Sequence, residues 1–149
     1  MTLNDALQNV TYLFLDTAPV IYFVEQHPTY APLINPIFDR IDQGLLFAVT
    51  SPVTLAECLI LPYRKGLTQF QQDFSDVLTT GSCTRFVTIN SEIAVKAARL
   101  RATYNLTLTD AFQVAVALDA GCQAFLTNDI MLKRVTELSM LVLGELTLA

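Results

Sequence analysis

The chain has 149 residues, 52% of them apolar and 15% charged, with a formal net charge of −5. Such a chain is one domain of ordinary size with ample material for a core, which excludes a disordered segment, and no apolar run reaches the roughly 18 residues that a membrane-spanning helix needs. The negative balance argues against a protein that grips nucleic acid chiefly by neutralising phosphates with Lys and Arg, but not against one whose positive charge comes from a bound metal.

The N-terminus has no basic segment followed by an apolar run and a cleavage site, so a cytoplasmic protein is expected. Residues 12–15, Tyr-Leu-Phe-Leu, form an apolar run that ends in Asp16, the pattern of a buried central strand with a polar group at its carboxyl end. Helical spacing follows through Val20, Ile21, Phe23 and Val24. His27, the only histidine, lies beside Pro28 and reads as a solvated turn residue. Leu33, Ile34, Ile37, Phe38 and Ile41 predict an amphipathic helix over 30–43, stopped by Gly44 and blurred at its start by Pro32 and Pro36. A second strand is expected at 45–49. Ser51 and Pro52 then supply a cap and a first helical residue for a helix that carries Glu57 and runs toward Pro62.

Phe70, Phe74, Val77 and Leu78 mark the next helix, and Gly81 and Ser82 lead into a strand over 85–89. Ser91 is placed as the cap of a helix with Ile93, Ala94, Ala97, Ala98 and Leu100 as its apolar stripe. Thr107 and Asp110 form a capping box for a helix that ends before Gly121. A fourth strand over 123–126 ends in Thr127, Asn128 and Asp129, and a short helix and a last apolar run over 140–143 follow. Strand and helix alternate about five times without repeats, which predicts a single α/β domain with a mainly parallel sheet. Cys58, Cys83 and Cys122 have no paired spacing for disulfides or zinc and read as reduced structural residues.

Open parallel sheets place their binding crevice outside the carboxyl ends of the strands. Asp16 ends the first strand, Asp129 lies just past the fourth, Asp110 opens the helix before it, and Glu57 rides on the helix that follows the second. All four have mostly apolar neighbours. Asp110 alone could be a helix-start acid on the positive end of the dipole, and Asp129 alone a helix cap. Asp16 and Glu57 resist such readings, because an unpaired buried charge is costly. Two like charges about 4 Å apart repel by about 4 kcal/mol at an effective dielectric near 20, so a meeting of all four calls for protons or a cation. Oxygen ligands without useful His or Cys favour Mg²⁺ or Mn²⁺ over zinc, and such a site suits phosphodiester hydrolysis.

The segments Phe14-Leu15-Asp16-Thr17, Val20-Ile21-Tyr22, Thr54-Leu55-Ala56-Glu57, Leu108-Thr109-Asp110-Ala111-Phe112-Gln113-Val114-Ala115 and Phe125-Leu126-Thr127-Asn128-Asp129 together resemble the PIN-domain family in content and order. The resemblance implies a three-layer α/β/α sandwich around a five-stranded parallel sheet of order 3-2-1-4-5. It also implies an endoribonuclease dependent on Mg²⁺ or Mn²⁺, with a homodimer and an antitoxin protein as expected partners and RNA as substrate. Carried onto this chain, Asp16, Asp110 and Asp129 would be primary metal ligands, Glu57 a ligand or water-mediated partner, and Thr127 or Asn128 a polar helper. Many relatives have Asn or Ser two residues after the first Asp; Ala18 stands there, so a supporting hydrogen bond is expected to be missing or replaced. Arg64, Lys65, Arg99 and Arg101 are candidates for contact with RNA phosphates or an acidic partner segment, against solvated faces or local ion pairs. Tyr22 and Phe23 are read as core, with base stacking the alternative.

Two other readings share part of the pattern. Phosphatases of the haloacid-dehalogenase kind also open with an apolar strand ending in Asp, but their second Asp would fall at Ala18. A domain of the same fold that binds RNA or protein without cutting is the non-enzymatic alternative.

Overall fold

The structure, a computed structural model, describes Met1–Ala149. A five-residue helix, α1 (Leu3–Leu7), precedes β1 (Tyr12–Leu15), α2 (Thr17–Val24), α3 (Ala31–Asp42), β2 (Phe47–Thr50), α4 (Pro52–Lys65) and α5 (Thr68–Thr79). The chain continues through β3 (Thr84–Phe86), α6 (Ser91–Tyr104), α7 (Leu108–Asp119), β4 (Ala124–Thr127), a 3-10 turn at Ile130–Arg134, β5 (Ser139–Val142) and a final 3-10 turn at Leu143–Glu145.

The five strands run parallel in the order β3-β2-β1-β4-β5. Alternation along each strand divides the core into two layers. Leu13 and Leu15 of β1 and Leu126 of β4 face α2, α3 and α5, packing with Val20, Ile34, Ile37 and Phe74. Phe14, Val49 and Phe125 face α6 and α7, packing with Ile93, Ala97, Val114 and Ala115. Phe14 and Phe125 stack with ring centroids 4.8 Å apart and so join β1 to β4 on that side. Both faces of the sheet are covered, which explains why the central strands read as continuous apolar runs rather than as alternations.

Several boundaries differ from expectation for local reasons. α1 was not visible because five residues are too few to show a period; its Leu3, Ala6 and Leu7 are nonetheless buried. α4 continues through Pro62 to Lys65 and ends at Gly66, whose φ of 64° is the left-handed conformation of a helix C-cap. Proline removes one hydrogen bond to the preceding turn, and here the helix continues past it. β3 covers 84–86 rather than 85–89, since its partner β2 ends at Thr50 and leaves residues 88 and 89 nothing to pair with. The side-chain cap of α6 is Asn90, not Ser91. The last strand starts one residue earlier than expected, at Ser139, and Leu143 begins a 3-10 turn.

His27 departs further. It occupies the expected turn, where its Nδ1 accepts from the Thr29 backbone N–H at 3.1 Å, but it is half-buried against Tyr22 and Tyr30, with centroids 4.9 and 5.2 Å away. The turn folds back so that Tyr22 of α2 and Tyr30, the residue before α3, cover the ring. No helix is long and apolar enough to cross a membrane.

Candidate acidic site at the carboxyl edge of the sheet

Asp16 follows β1 directly and caps α2, its Oδ1 accepting from the Thr17 backbone N–H at 2.8 Å. From β4 the Thr127 hydroxyl donates to Asp16 Oδ2, also at 2.8 Å. The two central strands thus deliver one carboxylate and one of its donors to the same point. Asp16 is 9% exposed. Burial pushes its pKa up, opposed by the hydrogen bonds from Thr127 and Thr17 and reinforced by the charges of Asp110 and Glu57, to about 6 from an ordinary 3.8.

Glu57 projects from the second turn of α4, a helix held at its start by Ser51, whose hydroxyl accepts from the N–H groups of Val53 and Thr54. The Thr17 hydroxyl donates to Glu57 Oε1 at 2.8 Å. Asp16 and Glu57 are therefore tied through the side chain and backbone of one residue. Asp110 lies in the first turn of α7, where its backbone N–H donates to Thr107 Oγ1. Its pKa is raised, first by burial and then by the nearby charges of Asp129 and Glu57, with the Thr107 hydrogen bond working against them. Asp129 is exposed and caps the 3-10 turn by accepting from the Met131 N–H at 2.9 Å.

Four segments distant in sequence thus carry four acids to one edge of the sheet, close enough for their charges to act on one another. None has a cationic partner in the chain, whose one ion pair joins Lys133 to Glu145 elsewhere. As the side chains stand, no three acidic, thiol or imidazole groups enclose an ion. The donor chemistry nevertheless fits a hard divalent cation. The ligands on offer are oxygens, their repulsion is uncompensated, and Mg²⁺ keeps several waters and needs only one or two protein carboxylates.

Gln113 is the member of this network that sequence reading missed. It is completely buried on α7, one turn after Asp110. Its Nε2 donates to Asp16 Oδ1 at 3.3 Å and to Thr17 Oγ1 at 3.4 Å, while its Oε1 accepts from Ser51 Oγ at 2.9 Å and Thr54 Oγ1 at 2.7 Å. An available signal was the lone amide in the apolar stretch from Ala111 to Ala117, which all but demands buried partners. Ala18 contributes no polar group, and donors on Asp16 come instead from Thr17, Thr127 and Gln113.

The auxiliary residues divide. Thr127 sits on Asp16, and its hydroxyl also accepts from the Asp129 N–H at 3.0 Å. Asn128 turns away: it donates to the Tyr22 hydroxyl at 3.2 Å and accepts from the Gly144 N–H at 3.1 Å, latching the end of β4 to α2 and to the last turn. Phe23 stacks on Phe38 at 3.7 Å and belongs to the core. Tyr22 stacks on Tyr30 at 4.6 Å. Arg64 and Lys65 are exposed at the end of α4, and Arg99 is exposed on α6. Arg101 donates to the Leu106 carbonyl and so helps close the turn after α6.

Residues 13–138 match the family model described as the PIN domain. No curated protein matches the sequence. Among solved structures, VapBC2 of Rickettsia felis bound to a promoter DNA fragment aligns with a TM-score of 0.70 and 16% identity, over 89% of this chain and 98% of the other. VapC20 of Mycobacterium tuberculosis, described as a sarcin-ricin loop cleaving toxin, aligns with a TM-score of 0.64 and 15% identity, over 76% of this chain and 86% of the other. DNA-bound VapBC of Salmonella typhimurium gives 0.64 and 16%, over 89% and 98%. At these identities the likeness is one of fold.

Proposed function

Because the chain belongs to the PIN domain family, we propose that it is an endoribonuclease dependent on Mg²⁺ or Mn²⁺, hydrolysing RNA phosphodiester bonds at Asp16, Glu57, Asp110 and Asp129. The observation that carries this reading is geometric: a buried Asp16 tied through Thr17 to Glu57, with Asp110 and Asp129 brought to the same edge of the sheet and no Lys or Arg paired with any of them. A divalent ion bound there would supply Lewis-acid chemistry, yielding a nucleophile from water at neutral pH and neutralising charge that builds on the phosphodiester. The chain's own groups set the stage for it. Asp16 and Glu57 are held in fixed relation by Thr17, Thr127 holds the second Asp16 oxygen, and Asp110 and Asp129 approach from the α7 and β4 side.

The VapBC and VapC proteins that share the fold support a narrower reading, in which the chain is the toxin of a toxin–antitoxin pair with an antitoxin protein as its partner; inhibition by that partner, a type II pair and a homodimer are further parts of the proposal. The decisive experiment is cleavage of a structured RNA by purified protein with Mg²⁺ or Mn²⁺. Wild type should cut, chelator should stop it, and Asp16→Asn and Asp110→Asn should each be inactive. Undiminished cutting by these variants would remove the site assignment. Co-purification with the product of an adjacent reading frame tests the toxin role separately.

A further inference from the structure

We propose that Gln113 is a positioning residue for the acidic site, its side-chain amide fixing Asp16 and the Thr17–Glu57 pair in the arrangement that receives the metal ion. The inference rests on the metal-dependent reading above and goes beyond it in assigning a role to a residue that carries no charge.

The orientation of the amide follows from the hydrogen bonds around it. The Ser51 hydroxyl oxygen already accepts from two backbone N–H groups as the cap of α4, so its proton is free to donate, and it goes to Gln113 Oε1 at 2.9 Å. Thr54 gives a second proton to the same oxygen at 2.7 Å, in preference to the Leu15 carbonyl at 3.4 Å. With Oε1 occupied by two donors, Nε2 must face the other way, toward Asp16 Oδ1 and Thr17 Oγ1. The reverse orientation would set the amide oxygen against a carboxylate oxygen. Thr17 Oγ1, accepting from Gln113, has its own proton left for Glu57 Oε1 at 2.8 Å. One relay therefore runs from Ser51 and Thr54 at the start of α4, through Gln113 on α7, to Asp16 after β1, and through Thr17 back to Glu57 on α4. It has no unsatisfied buried side-chain atom anywhere in it.

Such a closed network sets rotamers. Gln113 is 0% exposed, so water does not replace its donors when they are lost. The two Nε2 contacts are long, at 3.3 and 3.4 Å, which suits a group that orients a carboxylate without consuming its capacity to bind an ion. Outer hydrogen-bond partners of metal-binding groups typically contribute about 10–100-fold in metal affinity. A residue needed only to fill the core would contribute none.

The test is Gln113→Met, similar in volume and lacking both polar ends, with Mn²⁺ affinity of the full-length protein measured by calorimetry beside its thermal midpoint. The expected result is a variant that folds and binds Mn²⁺ about 10–100-fold more weakly than wild type, with excess Mn²⁺ restoring RNA cleavage. Equal Mn²⁺ affinity in a folded Gln113→Met protein overturns the positioning role and leaves the nuclease reading standing. Absence of Mn²⁺ binding by wild type overturns both. If Gln113→Met fails to fold, Thr54→Val carries the test: it removes the shorter of the two bonds that orient the amide, together with the longer contact to the Leu15 carbonyl, and leaves the four acids in place. Weaker Mn²⁺ binding by this variant supports the inference, and unchanged binding overturns it.

Discussion

Thr127 and Asp16, 111 residues apart in sequence, meet at the ends of adjacent parallel strands with a 2.8 Å hydrogen bond from hydroxyl to carboxylate. Both side chains are buried, so the bond stabilises the charged form of Asp16 where water does so only weakly. Replacing Thr127 with Val keeps the shape and removes both the donor to Asp16 and the acceptor of the Asp129 N–H. A hydrogen bond to a charged group is worth about 1.5–3 kcal/mol, so the Asp16 carboxyl should titrate roughly one to two pH units higher in the variant. A carbon-detected NMR titration of the metal-free protein reads this directly, and an unmoved Asp16 would show that Thr127 does not support it.

Burial of Asp16 has a cost that stability measurements expose. Its folded pKa of about 6 stands above the unfolded 3.8, so between about pH 4 and pH 6 the folded protein binds more protons than the unfolded chain. Stability of the metal-free protein therefore falls as pH rises through that window and stays low above it, by on the order of 3 kcal/mol at pH 7. Asp16→Asn should flatten this slope and melt higher than wild type at pH 7 in chelator. Mn²⁺ at about 100 times its dissociation constant should return about 2.7 kcal/mol to wild type and little to the variant. Denaturant melts at pH 4.5 and 7, with and without metal, separate these outcomes.

These two expectations show which parts of the molecule local sequence can reveal. The central strands were legible because two-sided burial leaves a run such as Leu13-Phe14-Leu15 with no polar interruption, and Asp16 stood out by ending it. α4 was legible at its start, where Ser51 and Pro52 act within a few residues. The relay through Gln113 was not, since its bonds span 59 to 97 residues and nothing near Gln113 indicates what α7 will face. The role of Asn128 was hidden for the same reason: its partners, Tyr22 and Gly144, are set by the packing of α2 and the last turn. Position at a strand end singled out Asp16 and Asp129, whereas Glu57 and Asp110 ride on helices, and tertiary contacts decided what each one holds.

Gly66 ends α4 with φ at 64°, and a Cβ built there would meet nothing within 4 Å. Any cost of substitution is then conformational rather than steric. Gly66→Ala should destabilise the protein by about 1 kcal/mol, and Gly66→Asn by less, because Asn tolerates the left-handed region. Chemical denaturation of both variants tests the ordering. Equal loss in the two would mean that the turn relaxes out of the left-handed conformation when a side chain is added.

Asp129 offers the sharpest separation between scaffold and chemistry. Its Oδ1 accepts from the Met131 N–H at 2.9 Å as the cap of the 3-10 turn, and its charge also acts on Asp110. Asn caps as well as Asp does, so Asp129→Asn keeps the structural bond and loses only the charge, whereas Asp129→Ala loses both, with about 1 kcal/mol for the cap. If Asp129 serves the metal site, the Asn variant should melt within about 0.5 kcal/mol of wild type yet bind Mn²⁺ more weakly and cut RNA poorly. If it serves only as a cap, the Asn variant should keep full activity and the Ala variant should lose stability alone. Removing the charge should also lower the Asp110 pKa toward its ordinary value, because the Asp129 carboxylate is one of the groups that holds it up. An Asp110 titration in the Asn variant that matches wild type would show that the two acids do not share a site.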